Sequence, residues 1–76
     1  MEISMFIKQF AEQFEETDVS VFEPSTKFRE LDEWSSLVAL SVIAMVDDEY
    51  DVVLKGDDIR GANTIEDLFN VVKSKL

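Results

Sequence analysis

Apolar residues recur at helical spacing near both ends of the chain, and this pattern constrains the fold more than any other feature. In the first stretch the recurring residues are Ile3, Phe6, Ile7, Phe10 and Phe14. In the last stretch they are Ile65, Leu68, Phe69, Val72 and Leu76. Steps of three and four residues place side chains on one face of an α-helix. We therefore predict a first helix over about residues 2–16 and a last helix that opens at Thr64, a good N-cap.

The middle of the chain predicts two more helices. The run from Trp34 to Val46 is the longest apolar stretch without a charge, and its helix should begin at Ser35 or Ser36 because serine caps helices well. Its apolar residues occupy more than one face, which is typical of a central helix or of one that offers an apolar surface to a partner. A short helix is expected near Asp57–Arg60, ending near Gly61.

Residues 17–34 have no sustained period and contain Pro24, so they predict a long loop. A loop of this length is uncommon unless it is functional or packed by its own side chains, and its scattered Phe and Leu residues favour packing. A chain of 76 residues buries only about 60% of its unfolded surface, enough for one core. The predicted fold class is all-α: a single domain over residues 1–76, with three main helices, one short helix and a long loop between the first two.

The composition excludes several kinds of chemistry. There is no Cys and no His, so a thiolate nucleophile, a disulfide, the usual neutral-pH base and the commonest zinc ligands are all missing. We therefore expect no enzyme activity of its own. The 17 acidic and 7 basic residues give a net charge of −10, which argues against nucleic acid and favours basic partners.

The acidic cluster at Asp47, Asp48, Glu49 and Asp51 could be a cation site or a solvated helix end. It lacks the Gly and Glu positions of an EF-hand loop, so we predict no metal site, while weak binding of divalent cations stays open. No stretch is long and apolar enough to span a membrane, and Glu2 stands where a signal peptide carries basic residues. We expect a monomeric cytoplasmic protein.

Three residues beside the start of the second predicted helix each allow two interpretations. In the first interpretation of Ser35 and Ser36, one serine caps the helix and the other is an ordinary surface residue. In the second, one of them is a modifiable hydroxyl at the helix N-terminus, where the macrodipole favours an attached phosphate. Trp34 packs the loop onto the core, or it is a partly exposed anchor for a partner. The residues alone leave both pairs open.

The segment Asp32-Glu33-Trp34-Ser35-Ser36-Leu37, followed by an apolar helix that ends in acids, resembles an acyl carrier protein. The signature of that family is Asp-Ser-Leu at the start of its second helix. Here Ser36 and Leu37 match its last two positions, while Ser35 replaces the aspartate. The resemblance covers nearly the whole chain, because the order of helix, long loop, helix, short helix and helix is also that of the family.

The resemblance implies that Ser36 carries 4′-phosphopantetheine, taken from coenzyme A by a phosphopantetheinyl transferase. An acyl-type intermediate would then be bound as a thioester to the thiol of this arm. The resemblance thus implies how a chain without Cys or catalytic residues takes part in fatty-acid, polyketide or related biosynthesis. Family members dock loading enzymes and synthases with basic patches through the second helix. The implied partner-docking residues are Trp34, Ser35, Leu37, Val38, Ser41, Asp47 and Asp48.

Two departures bear on the choice of partner. Val38 and Ser41 stand where fatty-acid carriers usually have acids, whereas Asp47 and Asp48 keep the distal acids. Because charges at the rim of an interface mainly set association rate and partner choice, we expect a more apolar contact than in the housekeeping pathway. The alternative function is an unmodified helical interaction module related to carrier proteins.

Overall fold

Four α-helices and two 3₁₀ turns make up the regular structure of the computed structural model, which describes residues 1–76. The α-helices are α1 (Ile3–Ala11), α2 (Ser36–Tyr50), α3 (Gly56–Gly61) and α4 (Ile65–Ser74). The 3₁₀ turns are Val19–Val21 and Phe28–Glu30. No residue lies in a strand, so the prediction of a small all-α bundle with one short helix is confirmed. None of the helices combines the length and the apolar content that a membrane crossing requires.

The core is apolar throughout and contains a cluster of aromatic rings around Phe10. Every one of the 17 buried residues is hydrophobic, so no buried polar side chain needs a partner. The ring of Phe10 lies with its centroid 5.4–6.3 Å from the rings of Phe6, Phe14, Phe22 and Phe28. Aromatic pairs at such distances stabilise a fold beyond the area that they bury. This cluster joins α1 to the loop that leads to α2.

Helix α1 ends at Ala11, earlier than the predicted boundary near residue 16. The backbone N–H groups of Glu15, Glu16 and Thr17 donate to the carboxylate of Glu33 at 2.6, 3.0 and 2.9 Å. The α-helical bonds stop before this contact: the N–H of Glu12 still bonds to Lys8, whereas those of Gln13 and Phe14 bond only three residues back. The contact with Glu33 then holds the chain after the helix in a non-helical path. Phe14 is still buried, as its helical spacing predicts.

The loop between α1 and α2 is packed by its own side chains, as predicted. Phe22 and Phe28 are both buried in the core. The loop also reaches α4, because the carbonyl groups of Pro24 and Thr26 accept hydrogen bonds from the first N–H groups of that helix. The distances are 3.0 Å to Glu66 and 3.1 Å to Ile65. The loop therefore satisfies helix-terminal donors that would otherwise need water.

Helix α4 begins with the predicted cap. The Thr64 hydroxyl accepts the backbone N–H of Asp67 at 3.1 Å, and the Asp67 carboxylate accepts the backbone N–H of Thr64 at 3.1 Å, which together form a capping box. Four of the five residues of the predicted stripe are buried. The prediction for Leu76 is wrong: its side chain is 65% exposed, because α4 ends at Ser74 and Leu76 lies beyond the packed face.

Candidate functional site

The start of α2 has the geometry that its sequence predicts. Ser35 is the N-cap, with extended backbone, and its hydroxyl accepts the backbone N–H of Val38 at 3.2 Å. Ser36 is therefore the first residue of the helix. A side-chain oxygen that accepts a first-turn N–H group stabilises a helix N-terminus. The cap leaves the hydroxyl of Ser36 free for another role.

Ser36 lies on the surface with two unused backbone donors beside it. The N–H groups of Ser36 and Leu37 donate to no acceptor in the chain, whereas those of Val38 and Ala39 both bond to Ser35. The free N–H groups at a helix N-terminus carry partial positive charge and favour an anion. A phosphate linked to the exposed Ser36 hydroxyl would therefore lie in a favourable field.

An open cleft between α2 and α3 begins at Ser36 and has a volume of about 300 Å³. Its apolar wall consists of Ala39, Leu40, Ile43 and Ile59. Arg60 lies at its rim and forms an exposed ion pair with Asp57. A Cβ atom at Gly56 would lie 3.1 Å from a guanidinium nitrogen of Arg60, a close contact that this exposed side chain can relieve by shifting. A largely apolar group attached near Ser36 would have this cleft within reach.

The outer face of α2, formed by Leu37, Leu40, Asp47 and Asp48, is exposed to solvent. Leu37 is 74% exposed and Leu40 is 62% exposed. Two such residues at adjacent positions of one helix face mark a contact surface more often than a single one does. Leu40 was not among the predicted docking residues, although its position three residues after Leu37 indicates the same face.

Val38 and Ser41 are half-buried on the flank of α2 that faces α1. Both line a groove with Gln13, Glu33 and Leu37, so this groove borders the outer face at Leu37. Trp34 is also half-buried, stacked on Phe14 with ring centroids 6.3 Å apart and edge-on to Phe28 at 5.0 Å. Leu37, Val38 and Ser41 thus line one groove, and Ser41 and Asp48 line the next one toward the end of α2. Trp34 lines neither groove and belongs to the aromatic cluster.

Glu33 is a site residue that sequence reasoning missed. Besides the three backbone N–H groups, its carboxylate accepts the hydroxyl of Thr17 at 2.7 Å. The hydrogen bond from the Thr17 side chain, followed by that from the backbone of Glu15, holds the pKa of Glu33 below its usual range. No local pattern indicates this role, because the donors lie 16–18 residues earlier in the chain.

The acids at the end of α2 are dispersed in solvent, and no three carboxylates in the chain come together as a metal site. The helix ends at Tyr50, and its C-cap residue Asp51 has a φ of 55°, in the left-handed region. Comparison with protein-family models, with curated proteins and with solved structures gives no match to this chain. The residues around Ser36 are therefore the basis for assigning a function to this chain.

Proposed function

We propose that this protein carries acyl-type intermediates as thioesters on a 4′-phosphopantetheine arm attached to Ser36. One observation supports the proposal most directly. Ser36 is exposed at the first position of a capped helix, beside two unused N–H groups and at the mouth of an apolar cleft. This combination offers an attachment atom, a favourable field for a phosphodiester and shelter for an apolar cargo.

The residues present fit the prosthetic group. The Ser36 hydroxyl is accessible, so a transferase can reach it without opening the core. The N–H groups of Ser36 and Leu37 and the guanidinium of Arg60 are the donors available to a phosphodiester at this position. Ser35 replaces the signature aspartate but keeps the capping function. When bound, the group supplies the thiol that the sequence lacks.

The outer face of α2 indicates the chemistry of the partner enzymes. Leu37 and Leu40 offer an apolar contact close to Ser36, and Asp47 and Asp48 offer negative charge further along the helix. A partner with an apolar pocket flanked by Lys or Arg would be complementary to this surface. We propose that the phosphopantetheinyl transferase and the enzymes of a fatty-acid, polyketide or related cytoplasmic pathway dock here on a monomeric carrier.

Mass spectrometry tests the attachment directly. The protein is incubated with coenzyme A and a broad-specificity phosphopantetheinyl transferase, and we expect a mass increase of one phosphopantetheine. Ser36→Ala should abolish the increase, whereas Ser35→Ala and Ser41→Ala, which remove the neighbouring hydroxyls, should retain it. An unmodified wild-type protein, or an adduct that persists in Ser36→Ala, would refute the assignment.

A second candidate function is an unmodified helical interaction module. The exposure of Leu37 and Leu40 favours it, because an exposed apolar face on a helix also suits a protein groove without any prosthetic group. The transferase assay distinguishes the two functions. A module of this kind would stay unmodified in the transferase assay, and its binding to a partner would be unaffected by Ser36→Ala.

A further inference from the structure

The carboxylate of Glu33 connects two parts of the chain immediately before the start of α2. One oxygen accepts the N–H groups of Glu16 and Thr17 and the Thr17 hydroxyl, and the other accepts the N–H of Glu15. Hydrogen bonds to an ionised acceptor are among the stronger ones in proteins. Four of them on one side chain hold the turn after α1 against the turn before α2.

The next residue adds a second attachment to the same part of the core. Trp34 stacks on Phe14, which directly precedes the segment that Glu33 holds. Phe14 in turn packs on Phe22, with ring centroids 4.9 Å apart. A polar and an aromatic attachment therefore occupy consecutive residues, and only Ser35 separates them from Ser36. The path of the chain into α2 is fixed on both sides of the Glu33–Trp34 peptide bond.

We propose that Glu33 is a positioning residue for Ser36: its carboxylate anchors the chain before α2 and so sets where the Ser36 hydroxyl is presented. This role rests on the proposed attachment of phosphopantetheine to Ser36. A transferase must place that hydroxyl in line with a phosphorus atom, and small displacements of a reacting atom are costly in rate. The role belongs to the ionised carboxylate, which can accept all four hydrogen bonds at once.

No cation assists Glu33. The ionisable groups that face it are Glu16 and Asp32 in the groove on one side and Glu15 in the groove on the other. All three are acids, so the negative charge of Glu33 is stabilised by hydrogen-bond donors alone. Replacing one carboxylate oxygen by an amide NH₂ group puts a donor where an acceptor is required. Glu33→Gln should therefore break the anchor while keeping the size of the side chain.

The test compares Glu33→Gln with Asp32→Asn, a matched control that removes the same charge from the adjacent residue, whose side chain makes no hydrogen bond. Amide hydrogen exchange of the unmodified full chain is the first measurement. In Glu33→Gln, we expect the amides of residues 15–17 to exchange on the order of tenfold faster or more. The amides of Val38 and Ala39, in the first turn of α2, should follow in the same direction. Asp32→Asn should leave both groups unchanged.

Kinetics of phosphopantetheine transfer give the second measurement. The outer face of α2 is intact in Glu33→Gln, so KM for the carrier should be retained while kcat falls by on the order of tenfold. Glu33→Asp keeps the charge on a shorter stem and should recover part of kcat. A role in stability alone would lower the melting temperature and leave kcat of the folded protein unchanged.

Each outcome bears on the proposal separately from the attachment of the arm. Unchanged exchange at residues 15–17 in Glu33→Gln, or faster exchange there with unaltered Val38, Ala39 and kcat, overturns the positioning role. If Glu33→Gln does not fold, Thr17→Val is the second variant. It removes the hydroxyl donor to the Glu33 carboxylate and should also speed exchange of the same amides. A wild-type chain that accepts no phosphopantetheine refutes the carrier function, and the exchange of Val38 and Ala39 still shows whether Glu33 orders α2.

Discussion

The carboxylate of Glu33 accepts two hydrogen bonds from Thr17, one from its backbone N–H at 2.9 Å and one from its hydroxyl at 2.7 Å. Together with the N–H of Glu15, these donors lower the pKa of Glu33. A carboxyl group whose pKa is lower in the folded than in the unfolded state stabilises the fold while it is ionised. The contact between these two residues therefore makes stability depend on pH in a defined direction.

We predict that the stability advantage of the wild type over Glu33→Gln disappears in acid. The advantage is complete above the ordinary pKa of glutamate, about 4.3, and is lost as the pH falls through the lowered pKa of Glu33 in the folded state. Denaturant unfolding of both proteins across this range measures the difference. Asp18 and Asp67 also have lowered pKa values, but they are present in both proteins, so their contributions cancel in the difference. A difference that stays constant from neutral pH to strong acid would contradict the prediction.

Removing the cap of α2 should weaken the fold without preventing modification. Ser35→Ala leaves the N–H of Val38 without its acceptor, and we expect the free energy of unfolding to fall by about 0.5–2 kcal/mol. Ser35→Asp restores an acceptor and adds a negative charge at the helix N-terminus, so it should recover the loss. Chemical denaturation gives both values. Equal stabilities of the wild type and Ser35→Ala would mean that the cap contributes nothing.

Phe10 should be among the least replaceable residues in the chain. It is fully buried and contacts four other Phe rings, so Phe10→Ala should cost about 3–5 kcal/mol. That is a large part of the roughly 5–15 kcal/mol that stabilises a typical domain. We expect a greatly lowered melting temperature or no cooperative transition by circular dichroism. Phe10→Leu leaves a smaller cavity, so its melting temperature should lie between those of the wild type and Phe10→Ala.

Added salt should stabilise the protein. The net charge is −10, and only two ion pairs, Asp57–Arg60 and Asp58–Lys75, offset the acids. Self-repulsion on a small body destabilises the compact state, and salt screens it. We expect the melting temperature to rise between low and physiological ionic strength. Asp48→Asn, which removes one charge from the acidic end of α2, should respond less steeply, and a wild-type response near zero would show that the acids are too far apart to matter.

Substitutions on α2 should separate its outer face from its flank. Leu40 is mostly exposed, so Leu40→Glu should change the free energy of unfolding by no more than about 0.5 kcal/mol. It should nevertheless slow loading by the transferase, because it places a charge in the apolar contact next to Ser36. Val38→Glu puts its charge in the half-buried groove beside α1 and should lower stability more. Initial rates and melting curves of the two variants test this, and identical loading rates for Leu40→Glu and the wild type would remove Leu40 from the docking surface.

The features that sequence predicted well depend on neighbouring residues. The caps Ser35 and Thr64 bond to N–H groups three residues later, so the same short segment contains both partners. The short helix α3 and the four buried apolar residues of α4 likewise depend on patterns within a few neighbouring residues. Such features can be predicted because periodicity and capping chemistry act within one or two helical turns.

The features that sequence missed depend on distant residues. The segment after α1 is held by Glu33, which accepts N–H groups 16–18 residues before it, and nothing near Ala11 indicates that contact. The apolar pattern predicted that α2 has more than one apolar face. It could not tell which of Leu40 and Val38 faces solvent, because that depends on where α1 packs.

The hydrogen bonds from α4 to Pro24 and Thr26 affect the order in which parts of the protein can fold during synthesis. The loop that leads into α2 is completed by the backbone of residues 65 and 66, about forty positions further along the chain. During synthesis the ribosome releases the Ser36 segment well before these residues have emerged. The loop around Pro24 and Thr26 is therefore completed only after α4 has been translated, and a nascent chain that stops short of α4 lacks the donors that these two carbonyl groups accept.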